Sequence, residues 1–162
     1  MDEHRRYTWP EVLAFGVGAM ALARALVPKS EIERRTGEAR APLAGLLFTA
    51  VWSVNNLLTL WGNREVLNAP DSPDRTAYLR LEAATWLLYV AYGPLFFRLK
   101  SPVLGQLNAV SYLALTLAAA KRAANIDRKL LGSFATLVPW LFLAATGATW
   151  VAATEPDPLF GG

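Results

Sequence analysis

The chain has 162 residues, of which 54% are hydrophobic and 18% are charged, whereas about 25% of the residues of an average soluble domain are charged. This composition excludes a disordered chain, and it disfavours a water-soluble globule because the excess apolar surface could not all be buried. The net charge of +3 comes from basic residues scattered among acidic neighbours and not from one basic face, so we expect no nucleic-acid partner.

Charged residues are almost absent from five long stretches of the sequence. Each stretch has roughly 18–24 residues, and about 20 helical residues span the ~30 Å hydrocarbon core of a bilayer. The few charges inside them, Glu11, Arg24, Arg80 and Glu82, lie close to a predicted end, where they can extend towards water. The sequence therefore predicts an all-α membrane protein, a single domain forming a bundle of five transmembrane helices over residues 9–27, 42–62, 77–97, 103–120 and 130–153.

Proline and turn signals mark several of the helix boundaries. Trp9-Pro10 places a proline in the first turn of the first helix, where its missing N–H costs nothing. Residues 68–73 have the composition of a turn between the second and third helices. Gly93-Pro94 and Pro139 lie inside predicted helices, so we expect kinks there, tolerated where neighbouring helices satisfy the freed carbonyls.

The N-terminal segment could be a cleaved signal peptide or the first helix. Its basic start, its apolar run and the small residues near position 23 fit a signal peptide. Glu11 interrupts the apolar run, however, so we interpret the segment as a helix. The connections on the N-terminal side hold eight Lys and Arg residues and those on the opposite side hold six, so the positive-inside rule favours a cytoplasmic N-terminus. We expect an integral protein of a prokaryotic cytoplasmic membrane, with the lipid bilayer around it.

Aromatic, polar and small residues follow one face of each predicted helix. A polar side chain turned towards lipid would cost several kcal/mol, so these faces should point into the bundle. In helix order the expected inward residues are Ala14, Gly18, Ala21 and Ala25; Phe48, Trp52, Asn55, Asn56 and Thr59; Tyr78, Glu82, Trp86, Tyr89, Gly93 and Phe97; Asn108, Ser111, Tyr112, Leu115 and Ala119; and Ser133, Thr136, Trp140, Ala144 and Gly147.

Two interpretations of these inward faces stay open. They can serve helix packing alone, or they can line a pocket that combines aromatic walls with a few polar groups, as small-molecule sites do. The pair Asn55-Asn56 is the least ordinary feature, because two amides in mid-membrane need several partners. Glu82 is either a carboxylate near the membrane surface that pairs with an arginine of a connection, or an anchor at the mouth of a pocket.

No catalytic constellation is visible in the sequence. The chain has no cysteine, and its one histidine, His4, has no second ligand beside it, so we expect no thiol chemistry and no metal site. No glycine-rich phosphate loop and no Ser/His/Asp set can be assembled.

Short motifs, most of them in the second half of the chain, carry a family resemblance. They are Gly93-Pro94-Leu95-Phe96-Phe97, Asn108 early in the fourth helix, Pro139-Trp140 with Ala144-Ala145-Thr146, and Ala50-Val51-Trp52. Together they resemble the tryptophan-rich sensory protein/translocator protein (TspO/MBR) family. Asn55-Asn56 departs from that family, which has an aromatic after the tryptophan of helix two. Ala148-Thr149 replaces an Asn-Tyr pair, which weakens the case for sterol recognition.

The resemblance implies a five-helix membrane bundle, usually dimeric, that binds tetrapyrroles such as porphyrin or haem. It matches Trp52 and Trp140 to the two cavity tryptophans of the family, and Ala144 and Gly147 to positions that line the pocket. Light-dependent porphyrin breakdown is implied by the resemblance alone, and nothing in the residue spacing demands an enzyme.

The first hypothesis is therefore a membrane protein that binds a flat hydrophobic ligand of the tetrapyrrole class for sensing, regulation or transport. Aromatic side chains would stack on the macrocycle, asparagines would bind its polar edge, and Lys29 or Arg40 would receive its propionates. The predicted ligand-binding residues are Trp52, Asn55, Asn56, Trp86, Tyr89, Asn108, Trp140, Ala144 and Gly147.

The alternative is a structural or assembly subunit with a packed core and no ligand. In either case a homodimer could form through small residues on the third helix, Ala84 and Ala91, which allow close approach.

Overall fold

The computed structural model describes residues 6–27, 30 and 42–161, and this part of the chain is helical with no strand. Its long α-helices are α1 (Trp9–Ala25), α2 (Pro42–Leu67), α3 (Pro73–Gly93), α4 (Pro102–Ile126) and α5 (Leu137–Thr154). A π-helical turn, Pro94–Arg98, follows α3, and a 3₁₀ segment, Arg128–Phe134, joins α4 to α5. All five helices overlap the predicted stretches, although α2 and α4 each extend beyond the predicted end.

Local hydrogen bonds explain where the helices begin. The Thr8 backbone N–H donates to Glu11 Oε2 at 2.8 Å, which caps α1 one residue before the predicted Trp9-Pro10 start. Ser72 Oγ and Ser101 Oγ accept from Arg75 N and Leu104 N, both at 3.1 Å, and so cap α3 and α4.

The two expected kinks have different outcomes. Gly93-Pro94 does mark a change of helix geometry, because the π-helical turn begins at Pro94. The prediction for Pro139 was wrong: α5 begins only at Leu137, so this proline lies in the first turn and interrupts no hydrogen bond. The 3₁₀ segment occupies the residues that the sequence assigned to the start of the fifth helix.

The helices pack around two buried clusters. Tyr78, Val66 and Phe134 form the centre of the first cluster, where α2, α3, α4 and the 3₁₀ segment meet. Val12 of α1, Leu60 of α2 and Trp86 of α3 form the second. The most extensive helix contacts are those of α3 with α4 and of α4 with α5, while α1 packs against α2 and α3.

The inward face predicted for the first helix was wrong. Ala14, Gly18, Ala21 and Ala25 are all exposed, whereas Val12 and Gly16 are buried. Gly16 allows the close approach of α2, because a Cβ at this position would lie 2.5 Å from Leu60 Cδ1. Since α1 has no polar residue in its middle, and small apolar residues suit lipid as well as a helix interface, its sequence did not distinguish the two faces.

The outer surface of all five helices carries large apolar side chains. The most exposed are Leu87 of α3, Leu143 and Trp150 of α5, at 70–72% exposure, and the other helices present Phe15, Leu57 and Leu107. Such a continuous apolar exterior suits contact with lipid. Among the described residues, α4 and α5 are long and apolar enough to cross a membrane, so the structure does not by itself confirm the predicted count of five spans.

Candidate functional site

Five aromatic rings form a continuous row, here called the aromatic row, that runs from the exposed Phe15 through Trp86, Tyr89 and Trp52 to Trp140. The successive ring centroids are 5.1, 5.5, 5.5 and 6.2 Å apart. Three of the four pairs meet edge to face at interplanar angles of 74–81°, the Trp52–Tyr89 pair is tilted at 57°, and none is stacked. Such contacts contribute about 0.5–1.5 kcal/mol each beyond burial, which fixes the relative positions of α1, α2, α3 and α5.

The row contains the four aromatic residues that the sequence assigned to a ligand site. Trp86 and Tyr89 lie three residues apart on one face of α3, Trp52 comes from α2, and Trp140 comes from α5. Trp52, Tyr89 and Trp140 are half-buried, whereas Trp86 is only 8% exposed. Their role in binding stays a prediction, but the fold does bring them together.

The predicted asparagines differ in how they are hydrogen-bonded. Asn55, one turn after Trp52, is completely buried, and neither its Oδ1 nor its Nδ2 has a hydrogen-bond partner among the described residues. Asn56 Nδ2 points to Met20 Sδ at 3.4 Å, a weak acceptor. Asn108 Nδ2 donates to the Leu88 carbonyl at 3.1 Å, beside Tyr89, so Asn108 lies at the same level of α3 as the aromatic row.

Hydrogen bonds among α2 and α3 extend the polar interior beyond the predicted residues. Tyr78 Oη donates to Asn63 Oδ1 at 2.9 Å, and the Asn63 amide also hydrogen-bonds the Glu82 carboxylate. Glu82 is 4% exposed and pairs with this amide, and within the described ranges it forms no ion pair with an arginine. Sequence reasoning missed Asn63, although it continues the helical spacing of Asn55 and Thr59 by one more turn.

Two cavities lie away from the Trp52–Trp140 contact. One, of about 560 Å³, opens between the start of α1, the end of α2 and the start of α3, and it includes Glu82 and Trp86 in its wall. The other, of about 490 Å³, is a groove between α4 and α5 beside Trp150. No group of three or more His, Asp or Glu side chains within the described ranges could hold a metal ion.

The model of the TspO/MBR family matches residues 12–152, which is most of the chain. The chain belongs to the TspO/MBR family. Searches among curated proteins and among solved structures gave no match. TspO/MBR proteins are membrane proteins that bind tetrapyrroles or sterols, so membership agrees with the apolar exterior of the helices.

Membership in the TspO/MBR family leaves the role of individual residues as predictions. Ala144 is half-buried beside Trp140, and Gly147 is exposed, where a Cβ would meet nothing within 4 Å. The most buried line of α5 is instead Leu137, Leu141 and Ala145. The side chain of Phe48 and the suggested propionate partners, Lys29 and Arg40, lie outside the described residues, as does His4.

The C-terminal segment is held to the start of α4 by one carboxylate. Asp157 accepts hydrogen bonds from Ser101 Oγ at 2.6 Å and from the backbone N–H groups of Val103, Leu159 and Phe160 at 2.8–3.2 Å. Desolvation raises the pKa of Asp157, but these hydrogen bonds outweigh it, so the pKa lies below its ordinary value. Sequence analysis did not identify this contact.

Oppositely charged side chains pair at the other end of α4, where α2 ends and α3 begins. Arg122 Nη1 donates to Asp74 Oδ1 at 2.9 Å, and this hydrogen bond lowers the pKa of Asp74. Arg75 pairs with Asp71 and donates to the Val66 and Leu67 carbonyls at 3.0 and 2.9 Å, which closes the end of α2. These basic residues are therefore occupied by structural contacts.

Proposed function

We propose that this protein crosses the membrane with five helices and binds a tetrapyrrole against the aromatic row. The observation that carries the proposal is the contact of Trp52 with Trp140, on two different helices, one turn from the buried and unpartnered amide of Asn55. An unpaired buried amide costs about 1–3 kcal/mol unless a ligand or water satisfies it. A macrocycle with a polar edge would supply both the stacking partner and the hydrogen bonds.

The geometry of the row limits how such a ligand would sit. A flat ring held between two others needs about 7 Å between them, twice the ~3.5 Å contact distance. The Trp52 and Trp140 centroids are 6.2 Å apart with planes at 80°, so no macrocycle fits between them. We therefore infer that the ligand lies against an accessible ring face on one side of the row, a position that the half-buried state of both tryptophans permits.

Five spans and a cytoplasmic N-terminus complete the proposal. Exposed apolar side chains occur on α1, α2 and α3 as well as on the two helices of highest hydropathy, which supports a lipid-facing position for all five. The distribution of basic residues among the connections supports a cytoplasmic N-terminus. A homodimer stays a prediction: Ala84 and Ala91 are half-buried on α3, whose outermost line is Arg80, Ala83 and Leu87.

The alternative, a structural subunit without a ligand, is favoured by one specific observation. The rings of the row contact one another directly, edge to face or tilted, as they would in a core that serves packing alone. The two candidates differ in what removal of the tryptophans does: a scaffold loses stability, whereas a binding protein also loses affinity for its ligand.

Titration with protoporphyrin IX in lipid nanodiscs tests the proposal. Binding is followed by quenching of tryptophan fluorescence and by the shift of the porphyrin absorption band. The Trp52→Leu, Trp140→Leu double variant should weaken binding about 5- to 150-fold, since each lost ring contact contributes about 0.5–1.5 kcal/mol. Trp150→Leu is the matched control, because Trp150 is 72% exposed on α5, outside the row, and its removal should leave the affinity within about twofold. Equal affinities of the double variant and the control contradict the proposal.

A further inference from the structure

The cavity between α1, α2 and α3, here called the acidic pocket, lies at the end of the bundle where α1 begins and α2 ends. Its volume of about 560 Å³ is within the range of small-molecule sites, which is roughly 300–1,000 Å³. Glu11, Phe15, Leu60, Asn63, Glu82 and Trp86 contribute to its wall. Phe15 and Trp86 lie in its wall, whereas Tyr89, Trp52 and Trp140 follow Trp86 along the aromatic row, so the pocket is distinct from the Trp52–Trp140 contact.

Two polar atoms of residues that line the acidic pocket have no hydrogen-bond partner in the part of the chain that the structure describes. Glu82 is 4% and Trp86 8% exposed, and they lie one helical turn apart on α3. Neither Glu82 Oε2 nor Trp86 Nε1 has a hydrogen bond. Asn63 holds the Glu82 carboxylate from the α2 side and is itself fixed by Tyr78, so the carboxylate is positioned while its buried Oε2 stays without a hydrogen bond among the described residues.

The charge of the pocket selects the kind of ligand. Its only charged wall residues in the described part of the chain are acidic, Glu11 and Glu82, and no lysine or arginine lines it. Glu11 is engaged by Thr8, which leaves Glu82 as the deep acceptor. Phe15 and Trp86, with ring centroids 5.1 Å apart, add aromatic faces that attract a cation, and aliphatic side chains form the remaining surface apart from Tyr7 and Asn63.

We propose that the acidic pocket binds a hydrophobic amine in its cationic form. The ammonium donates to Glu82 Oε2, the apolar part of the amine lies against Phe15 and Leu60, and an ether or hydroxyl oxygen of the ligand accepts from Trp86 Nε1. This second site goes beyond tetrapyrrole binding and does not depend on it, since no residue that holds the ammonium belongs to the Trp52–Trp140 contact.

Equilibrium dialysis of nanodiscs tests the site with propranolol, an aryl amine that is cationic at neutral pH and carries an ether and a hydroxyl. Its neutral diol analogue, in which a hydroxyl replaces the amine, is the matched ligand. Empty nanodiscs of the same lipid give the membrane partition that is subtracted. The wild type should bind one propranolol per chain saturably, and the diol at least about tenfold more weakly, because a charged hydrogen bond is lost.

Two charge-removing variants locate the effect. Glu82→Gln should weaken propranolol binding at least about tenfold and leave the two ligands nearly equal, since the charge is removed and the side-chain shape is kept. Glu65→Gln is the control, because Glu65 pairs with Arg64 at the surface and does not line the pocket; it should change the affinity by less than about twofold. Protoporphyrin binding should survive Glu82→Gln, which separates this proposal from the proposed function.

Equal binding of propranolol and the diol to the wild type overturns the proposal even if Glu82→Gln fails to fold. Absence of saturable binding overturns it as well, and so do equal losses in the Glu82→Gln and Glu65→Gln variants.

Discussion

Asn55 links the stability of the free protein to ligand binding, and Asn55→Leu separates the two. The side chain is fully buried on α2, with both amide atoms lacking hydrogen bonds. Leucine has the same number of side-chain heavy atoms and the same branching, so the change removes polarity with little change of shape. We expect the variant to be more stable than the wild type and to bind protoporphyrin more weakly.

The size of the effect follows from the cost of burying an unpaired polar group, about 1–3 kcal/mol. Leucine fills slightly more volume than asparagine, and a small overpacking cost reduces the gain. A net gain of about 1 kcal/mol raises the Tm of a chain of this length by roughly 2–4 °C.

Asn63→Leu is the matched control, on the same helix two turns further along. Asn63 is also buried, but it is hydrogen-bonded to both Tyr78 and Glu82. Its replacement leaves two buried groups without a partner and should lower the free energy of unfolding by about 1–3 kcal/mol. Unfolding by SDS at equilibrium, without ligand, measures both variants. If Asn55→Leu destabilises the protein as much as Asn63→Leu does, the reasoning about the unpaired amide is refuted.

Two further predictions concern packing and pH. Gly62→Ala should destabilise the protein by about 1–2 kcal/mol, because the new Cβ would lie 2.7 Å from Ser133 Cβ. Gly18→Ala is the control and should be neutral or slightly stabilising, because its Cβ would meet nothing within 4 Å. Equal melting temperatures of the two variants would contradict this reasoning. The lowered pKa of Asp157 stabilises the fold above its ordinary value of 3.8, and this contribution is lost as the pH falls through the lower folded-state pKa. The Tm of Asp157→Asn should therefore lie below that of the wild type at pH 7 and approach it below about pH 4; a constant difference across that range would argue against the hydrogen-bond network.

The sequence predicted the helices well, because long apolar stretches and capping residues act locally. The charge-free stretches needed no tertiary information, whereas the start of α3 at Pro73 was missed, because residues 68–73 have the composition of a turn and the helix was predicted from residue 77. The inward face of α3 was also predictable, since Tyr78, Glu82 and Trp86 follow helical spacing and are buried. Pro139 was misplaced because a 3₁₀ segment and an α-helix share the same apolar composition.

The site was only partly predictable for a different physical reason. Periodicity placed Trp52, Trp86 and Trp140 on inward faces, but it could not show that their rings meet edge to face, which depends on the rotation of three helices relative to one another. The acidic pocket was missed as a separate site, since it requires the start of α1 and the end of α2 to meet beside Glu82. Asp157 was missed because its partner Ser101 is distant in sequence.

The central claim is that a tetrapyrrole lies against the Trp52–Trp140 contact, and a crystal structure of the protein with protoporphyrin IX tests it most directly. The account predicts a macrocycle within about 4 Å of both indole rings, with a polar group of the ligand hydrogen-bonded to the Asn55 amide. A porphyrin that binds instead in the groove of α4 and α5 beside Trp150, with Asn55 still unpaired, would contradict it.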